Sequence, residues 1–226
     1  MSLVGDDSCT GVLLDSGEEI RAKAVISSLP PQTLFPMLRG AWTSQSPSLA
    51  AMENLKPCRY ISVYIWFDRK VSNGKQMWAR TYNPDDFNCE FYDFSEIYPG
   101  TDRNGTPWKE RPSLIGSNII DSGRLQDLLD DDIIRRTLCE IQESFPAALE
   151  ARVLHTVVNR VPMAIHRPVV GTESLRPDQQ SPVKDFYIAG CWTRTDFPSS
   201  MESAARSGYL AADKLLRATM NEKSEP

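Results

Sequence analysis

Residues 185–218 constrain the fold of this chain more than any other stretch. Asp185-Phe186-Tyr187-Ile188-Ala189-Gly190 reads as a short strand. A Thr/Pro/Ser-rich loop follows from Cys191 to Ser200, then a helix from about Met201 to Ala218. Ser199 and Glu202 have the spacing of a capping box. Small residues crowd the helix: Ala204, Ala205, Ser207, Gly208, Ala211 and Ala212. They let a helix lie close to a sheet or a ligand. A mid-helix glycine costs about 1 kcal/mol against alanine, so close approach is a reason to keep Gly208. Strand, loop and helix N-terminus together make a site for an anion or a dipole.

The N-terminal part reads as a small β unit. Gly11 to Leu14 is a strand, Asp15-Ser16-Gly17 a turn, and Glu19 to Ala22 the return. Ala24 to Leu29 is a second apolar run, stopped by Pro30-Pro31. Gln32 to Leu38 gives one or two helical turns, and residues 40–57 a helix or connector.

The middle is strand-rich. Tyr60 to Phe67 is apolar on both alternating faces, which suits a central strand or one whose second face lines a cavity. Trp78 to Tyr82, Cys89 to Phe94 and Ser113 to Ile120 are further strand candidates. Twelve of the 20 aromatic residues fall between Tyr60 and Trp108. They read as a sheet core, or in part as the lining of a pocket for a large apolar ligand. Asp130 has the character of an N-cap for a helix with Ile133, Ile134, Leu138, Ile141 and Phe145 on one face and Asp131, Arg135, Arg136 and Glu140 mostly off it. Pro146 ends that helix, which reads as a cover without chemistry. Val153 to Val161 alternates like a strand, and residues 162–182, with four prolines, read as a long loop.

Composition excludes several classes. At 41% hydrophobic and 24% charged residues the chain is not disordered. A net charge of -5 without a basic block argues against a nucleic-acid partner. No apolar run approaches the roughly 20 residues of a membrane helix. Met1-Ser2-Leu3 lacks the basic and apolar regions of a signal peptide. Five cysteines without CxxC spacing point to reduced thiols in a cytoplasmic protein, with no metal site. His155 and His166 have no partner at metal-ligand spacing and read as structural.

A family resemblance rests on three stretches. Phe186 to Thr193, then Pro198-Ser199-Ser200-Met201-Glu202-Ser203-Ala204, then Ser207-Gly208, resemble the C-terminal signature of the FAD-dependent amine oxidase and phytoene desaturase superfamily. Arg176-Pro177-Asp178-Gln179-Gln180-Ser181-Pro182-Val183 resembles the Arg-Pro loop of its carotene desaturase branch, and Ala24 to Pro31 the strand that re-enters the FAD domain. The resemblance implies an α+β fold: a mixed, largely antiparallel substrate-domain sheet with flanking helices, plus parts of a discontinuous FAD-binding α/β domain. It assigns 4–38 and 183–218 to the FAD domain, 39–182 to the substrate domain and 219–226 to a tail.

The implied cofactor is FAD, met by Gly190, Cys191, Trp192, Ser200, Met201, Glu202 and Ala205. The implied substrate is a long isoprenoid or polyene, met by Tyr64, Trp66, Tyr92 and Arg176. The reaction is desaturation, with hydride passing to the flavin. No catalytic residue is assigned. A flavin amine oxidase, or a non-catalytic domain binding an apolar lipid or a partner protein, are the alternatives. The family's acidic residue after Ala-Gly is Cys191 here, which is either inert or a reactive thiol facing a helix N-terminus. Gly-x-Gly-x-x-Gly, which cradles the pyrophosphate in the family, does not occur. The expectation is therefore the C-terminal part of a larger flavoprotein, inactive and without retained FAD on its own. It would work with an N-terminal FAD-binding region, make peripheral membrane contact, or form a homodimer through exposed strand edges.

Overall fold

The computed structural model describes residues 1–81 and 83–222. Three short strands open the chain, β1 (Ser2–Val4), β2 (Gly11–Leu13) and β3 (Glu19–Arg21), followed by β4 (Val25–Ser27). Helices α1 (Pro31–Leu34), α2 (Gly40–Gln45) and α3 (Pro47–Ala51) come next. Then come β5 (Pro57–Phe67), β6 (Met77–Ala79), β7 (Glu90–Asp93), α4 (Phe94–Ile97), β8 (Leu114–Ile119) and α5 (Asp130–Ser144). The chain closes with β9 (Val153–His166), β10 (Phe186–Ile188) and α6 (Met201–Glu222). The sequence strand at Trp78 to Tyr82 starts one residue earlier, and Tyr82 lies outside the described residues. So do residues 223–226 of the 219–226 tail, whose earlier part continues α6.

The chain divides into two compact units, one of residues 1–57 with 165–226, the other of residues 58–164. Both boundaries fall inside the 39–182 stretch that the sequence reading treats as one domain. The fold class is α+β, with antiparallel and parallel sheets together.

In the discontinuous unit, β1, β2 and β3 form an antiparallel sheet. Strands β4 and β10 pair in parallel, Val25 with Phe186 through Ser27 with Ile188. Leu3, Leu34, Trp42, Leu49, Met52, Leu55, Phe186, Ile188 and Trp192 are buried in one cluster. The inner side of α6 carries Ser203, Ser207 and Ala211, all buried. Its outer side carries Met201, Ala205, Tyr209, Ala212, Leu216 and Met220, all exposed. Gly208 also faces outward, with nothing within 4 Å of where a Cβ would stand. No described residue makes the close approach that the sequence suggested there.

The continuous unit holds a five-stranded sheet of order β6-β7-β8-β5-β9. Ile61, Val63, Ile65 and Phe67 alternate onto one face of β5 and pack with Ile133, Ile141 and Phe145 around α5. Strand β5 lies between β8 and β9, an interior strand as Tyr60 to Phe67 suggested, and Tyr64 and Trp66 on its second face are half-buried. Strand β9 runs on to His166, so the prolonged loop expected from residue 162 starts later. Pro162 is tolerated because β9 is an edge strand, where a missing N–H breaks no ladder.

Helix α5 corrects two expectations. Asp130 makes no cap hydrogen bond, and Leu129 stands at the N-cap. The Asp130 carboxylate instead takes Arg160 Nη2 at 2.7 Å. Glu140 is fully buried rather than off the packed face. Its carboxylate accepts from the amides of Phe87 and Asn88, both at 2.9 Å, from Asn88 Nδ2 at 2.8 Å and from Arg136 Nε at 2.9 Å. Arg80 Nη1, buried without a hydrogen bond of its own, lies 3.7 Å from Glu140 Oε2. Glu140 thus fixes the irregular backbone at 87–88 while neutralising two arginines. Removing it leaves buried donors and charge unmatched. Glu140→Ala is expected to cost roughly 3–5 kcal/mol in urea unfolding. Glu143→Ala, which removes an exposed partner of Arg80, is expected to stay within about 0.5 kcal/mol.

Candidate functional site

The parallel ladder continues one residue past β10, where the Ala189 amide donates to Ser27 O at 2.8 Å. Gly190 follows at φ +141°, and its N–H donates to Ser207 Oγ at 2.7 Å. A Cβ at Gly190 would stand 2.4 Å from Trp192 Nε1. The glycine is therefore required by Trp192, whose ring lies where a Cβ would stand. Trp192 is itself 3% exposed, and its indole donates to Leu29 O at 3.2 Å. Its side chain is part of the buried core.

The loop after Gly190 is tied down by one side chain. Arg176 is 2% exposed. Its Nε donates to Thr193 O at 3.0 Å, and Nη2 to Thr193 O at 2.5 Å, Cys191 O at 3.2 Å and Thr195 Oγ1 at 3.0 Å. Its Nη1 donates to Phe197 O and to the Glu173 carboxylate at 2.9 Å. Every guanidinium donor is engaged, so Arg176 has none left for the substrate assigned to it. Glutamine 179 adds two bonds, from Nε2 to Thr193 Oγ1 and to Arg194 O. The half-buried Cys191 contributes its carbonyl, which also accepts from Ser199 Oγ and Ser203 Oγ.

Ser200, not Ser199, caps α6: its Oγ accepts from the Ser203 amide at 3.1 Å. Ser199 instead lies 3.0 Å from His166 Nδ1. Burial pushes the His166 pKa below its ordinary 6.5, the Arg176 charge adds to this, and Glu173 opposes it. Ser200, Met201, Glu202 and Ala205 come together in the open at this helix end. The amides of Met201 and Glu202 have no hydrogen-bond partner among the described residues. They leave the positive end of a 22-residue helix exposed.

In the other unit, Tyr64, Trp66 and Tyr92 share the sheet face opposite the α5 core, all half-buried. Phe94 lies 5.7 Å from Tyr64 and 6.4 Å from Tyr92. It can lie flat there only because residue 116 is glycine: a Cβ would stand 2.3 Å from the Phe94 ring. Burial first, and Glu90 second, push the Tyr92 pKa up to about 12, so the phenol stays neutral. Phe94, Tyr98 and Trp108 were not singled out from the sequence, although the density of aromatics between 60 and 108 was their signal.

The profile of the flavin containing amine oxidoreductases matches residues 1–216. The chain belongs to that family. It is 26% identical over 229 residues to the 15-cis-phytoene desaturase of Glycine max, covering 96% of this chain and 37% of that protein. It is 27% identical over 206 residues to the 15-cis-phytoene desaturase of Synechococcus elongatus, covering 87% and 40%. The chain thus spans about two fifths of the length of these relatives. An oxidoreductase structure from Methanosarcina mazei superposes with a TM-score of 0.66 at 16% identity, over 96% of this chain and 48% of that one.

A flavin is the group this family implies. The open α6 terminus fits the electron-rich edge of such a ring, since it offers two unpartnered amides beside small outward residues. The sequence holds no glycine motif for a pyrophosphate. Among the described residues no helix is long and apolar enough to cross a membrane, and no three His, Cys, Asp or Glu side chains converge as a metal site.

Arg176→Met should lower stability by roughly 3–5 kcal/mol in thermal or urea unfolding, because it strands carbonyls at 191, 193 and 197. It should also open the 191–200 loop to limited proteolysis. His166 predicts a pH dependence. With its folded pKa below 6.5, its contribution is complete above that value and is lost as pH falls from 6.5 through the lowered value. Urea unfolding at pH 7 and pH 5 should show this slope, and His166→Asn should flatten it.

Proposed function

We propose that this chain forms the flavin-ring side and the substrate sheet of an FAD-dependent oxidoreductase that desaturates or dehydrogenates a long apolar isoprenoid. The observation that carries the reading is the open N-terminus of α6, set on a loop that Arg176 holds rigid. When bound, the flavin supplies the hydride acceptor. The Met201 and Glu202 amides and the helix dipole would face its carbonyl edge and stabilise negative charge there. Ser200 keeps those two amides free by taking the third, Ser203, for the cap. Ala204, Ala205 and Gly208 leave room beside the helix for a flat ring.

The half-buried face of Tyr64, Trp66 and Tyr92 would hold the apolar substrate and exclude water from it. The pattern of phytoene desaturases among the relatives supports an isoprenoid over an amine. A partner surface is part of the proposal. The β4–β10 pair is a parallel sheet of two strands, with Ile26 45% exposed on β4. Parallel sheets are ordinarily covered on both faces. Together with the apolar outer side of α6, this suits a flavin-binding βαβ region packing here. A substrate of this kind would be collected at a membrane surface by a cytoplasmic protein.

Titrating FAD with the chain and following flavin fluorescence tests the reading. The expected result is saturable quenching at a Kd of roughly 10–100 µM, with the flavin lost on desalting. Met201→Pro removes one open amide at a position where proline suits the first helical turn. It should weaken binding about fivefold without lowering the unfolding midpoint. No quenching at millimolar FAD would overturn the proposal.

A further inference from the structure

A cavity of about 340 Å³ lies at one end of the five-stranded sheet, where β5 ends and β8 and β9 begin. Trp66, Trp108, Leu114 and Leu154 supply its apolar lining, and Asp102, Arg103, Asn104 and Arg111 its polar lining. The two indoles are the ends of one chain of ring contacts. Trp66 meets Tyr64 at 6.4 Å, Tyr64 meets Phe94 at 5.7 Å, Phe94 stacks on Tyr98 at 5.3 Å, and Tyr98 meets Trp108 edge-on at 5.2 Å. Both walls are therefore positioned by the same aromatic face that the proposed function gives to the substrate.

The polar lining is equally organised. Residues 102–106 form a tight turn, with the Asp102 amide donating to Thr106 O at 2.8 Å and the Gly105 amide to Asp102 O at 3.0 Å. The Asp102 carboxylate accepts from the amides of Asn104 at 2.9 Å and Thr106 at 3.0 Å, and pairs with Arg111 Nη1. Arg111 in turn lies over the Trp108 ring, 5.7 Å from its centroid. The negative charge of Asp102 is thus spent inside the turn. Arg103 has no hydrogen bond or ion pair among the described residues, and it lines the cavity. A pocket with an apolar wall, a self-neutralised Asp102–Arg111 pair and one uncompensated guanidinium selects ligands that carry an anionic oxygen group on an apolar body.

We propose that this cavity is the head-group subsite of the substrate face, and that it takes a carboxylate or phosphate on an isoprenoid chain whose tail runs along the Trp66–Tyr64–Phe94 rings. The inference rests on the reading that this face holds the substrate, and it makes that substrate an amphiphile rather than a pure hydrocarbon.

Tryptophan fluorescence of the full chain, titrated below the aggregation limit of each ligand, tests it. The probes are farnesol, farnesoic acid, farnesyl diphosphate and inorganic pyrophosphate. The acid, the diphosphate or both should bind about tenfold tighter than the alcohol, and the tighter of the two identifies the head group. Arg103→Gln, at an exposed turn position without a partner, should abolish that preference while leaving farnesol binding unchanged. Equal affinity for farnesol, or a preference that survives Arg103→Gln, overturns the proposal. Pyrophosphate binding as tightly as farnesyl diphosphate overturns it too, because the arginine would then be reading charge without the cavity. Flavin quenching at α6 is read separately. Its failure with the anion preference intact sinks the flavoprotein reading, and the reverse pattern sinks this subsite alone.

Discussion

The discontinuous unit depends on long-range pairing between its two chain segments, chiefly that of β4 with β10. Strands β4 and β10 lie roughly 160 residues apart in sequence, and three paired positions bring them together. Loop-closure entropy grows only with the logarithm of length, so inserting a whole folded unit between them costs little more than a modest loop. A two-stranded sheet supplies little stability by itself. The pairing persists because Phe186 and Ile188 carry it into a core with Leu34, Trp42 and Leu49. Everything that forms the candidate site, from Ala189 to the start of α6, hangs from the end of that short ladder.

The first half of helix α6 then reverses the usual arrangement of an amphipathic helix. The buried side of that half, Ser203 and Ser207, is polar because it faces a loop rich in unpaired backbone groups; further along, Ala211 packs with Tyr187 and Ala189 at the end of β10. Ser207 satisfies the Gly190 amide, and Ser203 meets Thr195 Oγ1 at 2.6 Å and the Cys191 carbonyl. Met201, Tyr209, Leu216 and Met220 are left on the outside. The placement follows from the requirement that buried N–H and C=O groups be paired, and it puts small and apolar side chains where a flat ring or a packed partner can meet them.

The strands and helices were largely legible in the sequence, because alternation at Tyr60 to Phe67 and the helical period after Asp130 reflect burial that survives in the fold. The strand-loop-helix from Asp185 was legible for the same reason. What could not be read was decided by partners distant in sequence. Asp130 looks like a cap until Arg160 takes its carboxylate. Ser199 and Ser200 are equivalent as letters, yet His166 engages one and the helix the other. Glu140 sits at the edge of the apolar stripe, and only the backbone of 87–88 draws it inside. Gly190 is assigned to the cofactor by resemblance, and what the sequence does not reveal is that the Trp192 indole lies where its Cβ would stand. Pro162 marks a break by composition and is harmless on an edge strand.

Glu140 and Arg176 solve the same problem with opposite charges. Each unit contains a stretch of irregular backbone that is buried and cannot pair with itself. At 87–88 the unpaired groups are amides, and a carboxylate meets them. At 191–197 they are carbonyls, and a guanidinium meets them. A neutral side chain of similar size offers fewer and weaker bonds in either place. The desolvation of each ion is offset only because several backbone groups converge on it, with Arg136 or Glu173 completing the neutralisation. Such a device makes a loop rigid without regular secondary structure. In the unit that presents the open end of α6, that rigidity is what keeps two amides aimed outward with no partner of their own, the condition for stabilising charge on whatever meets them.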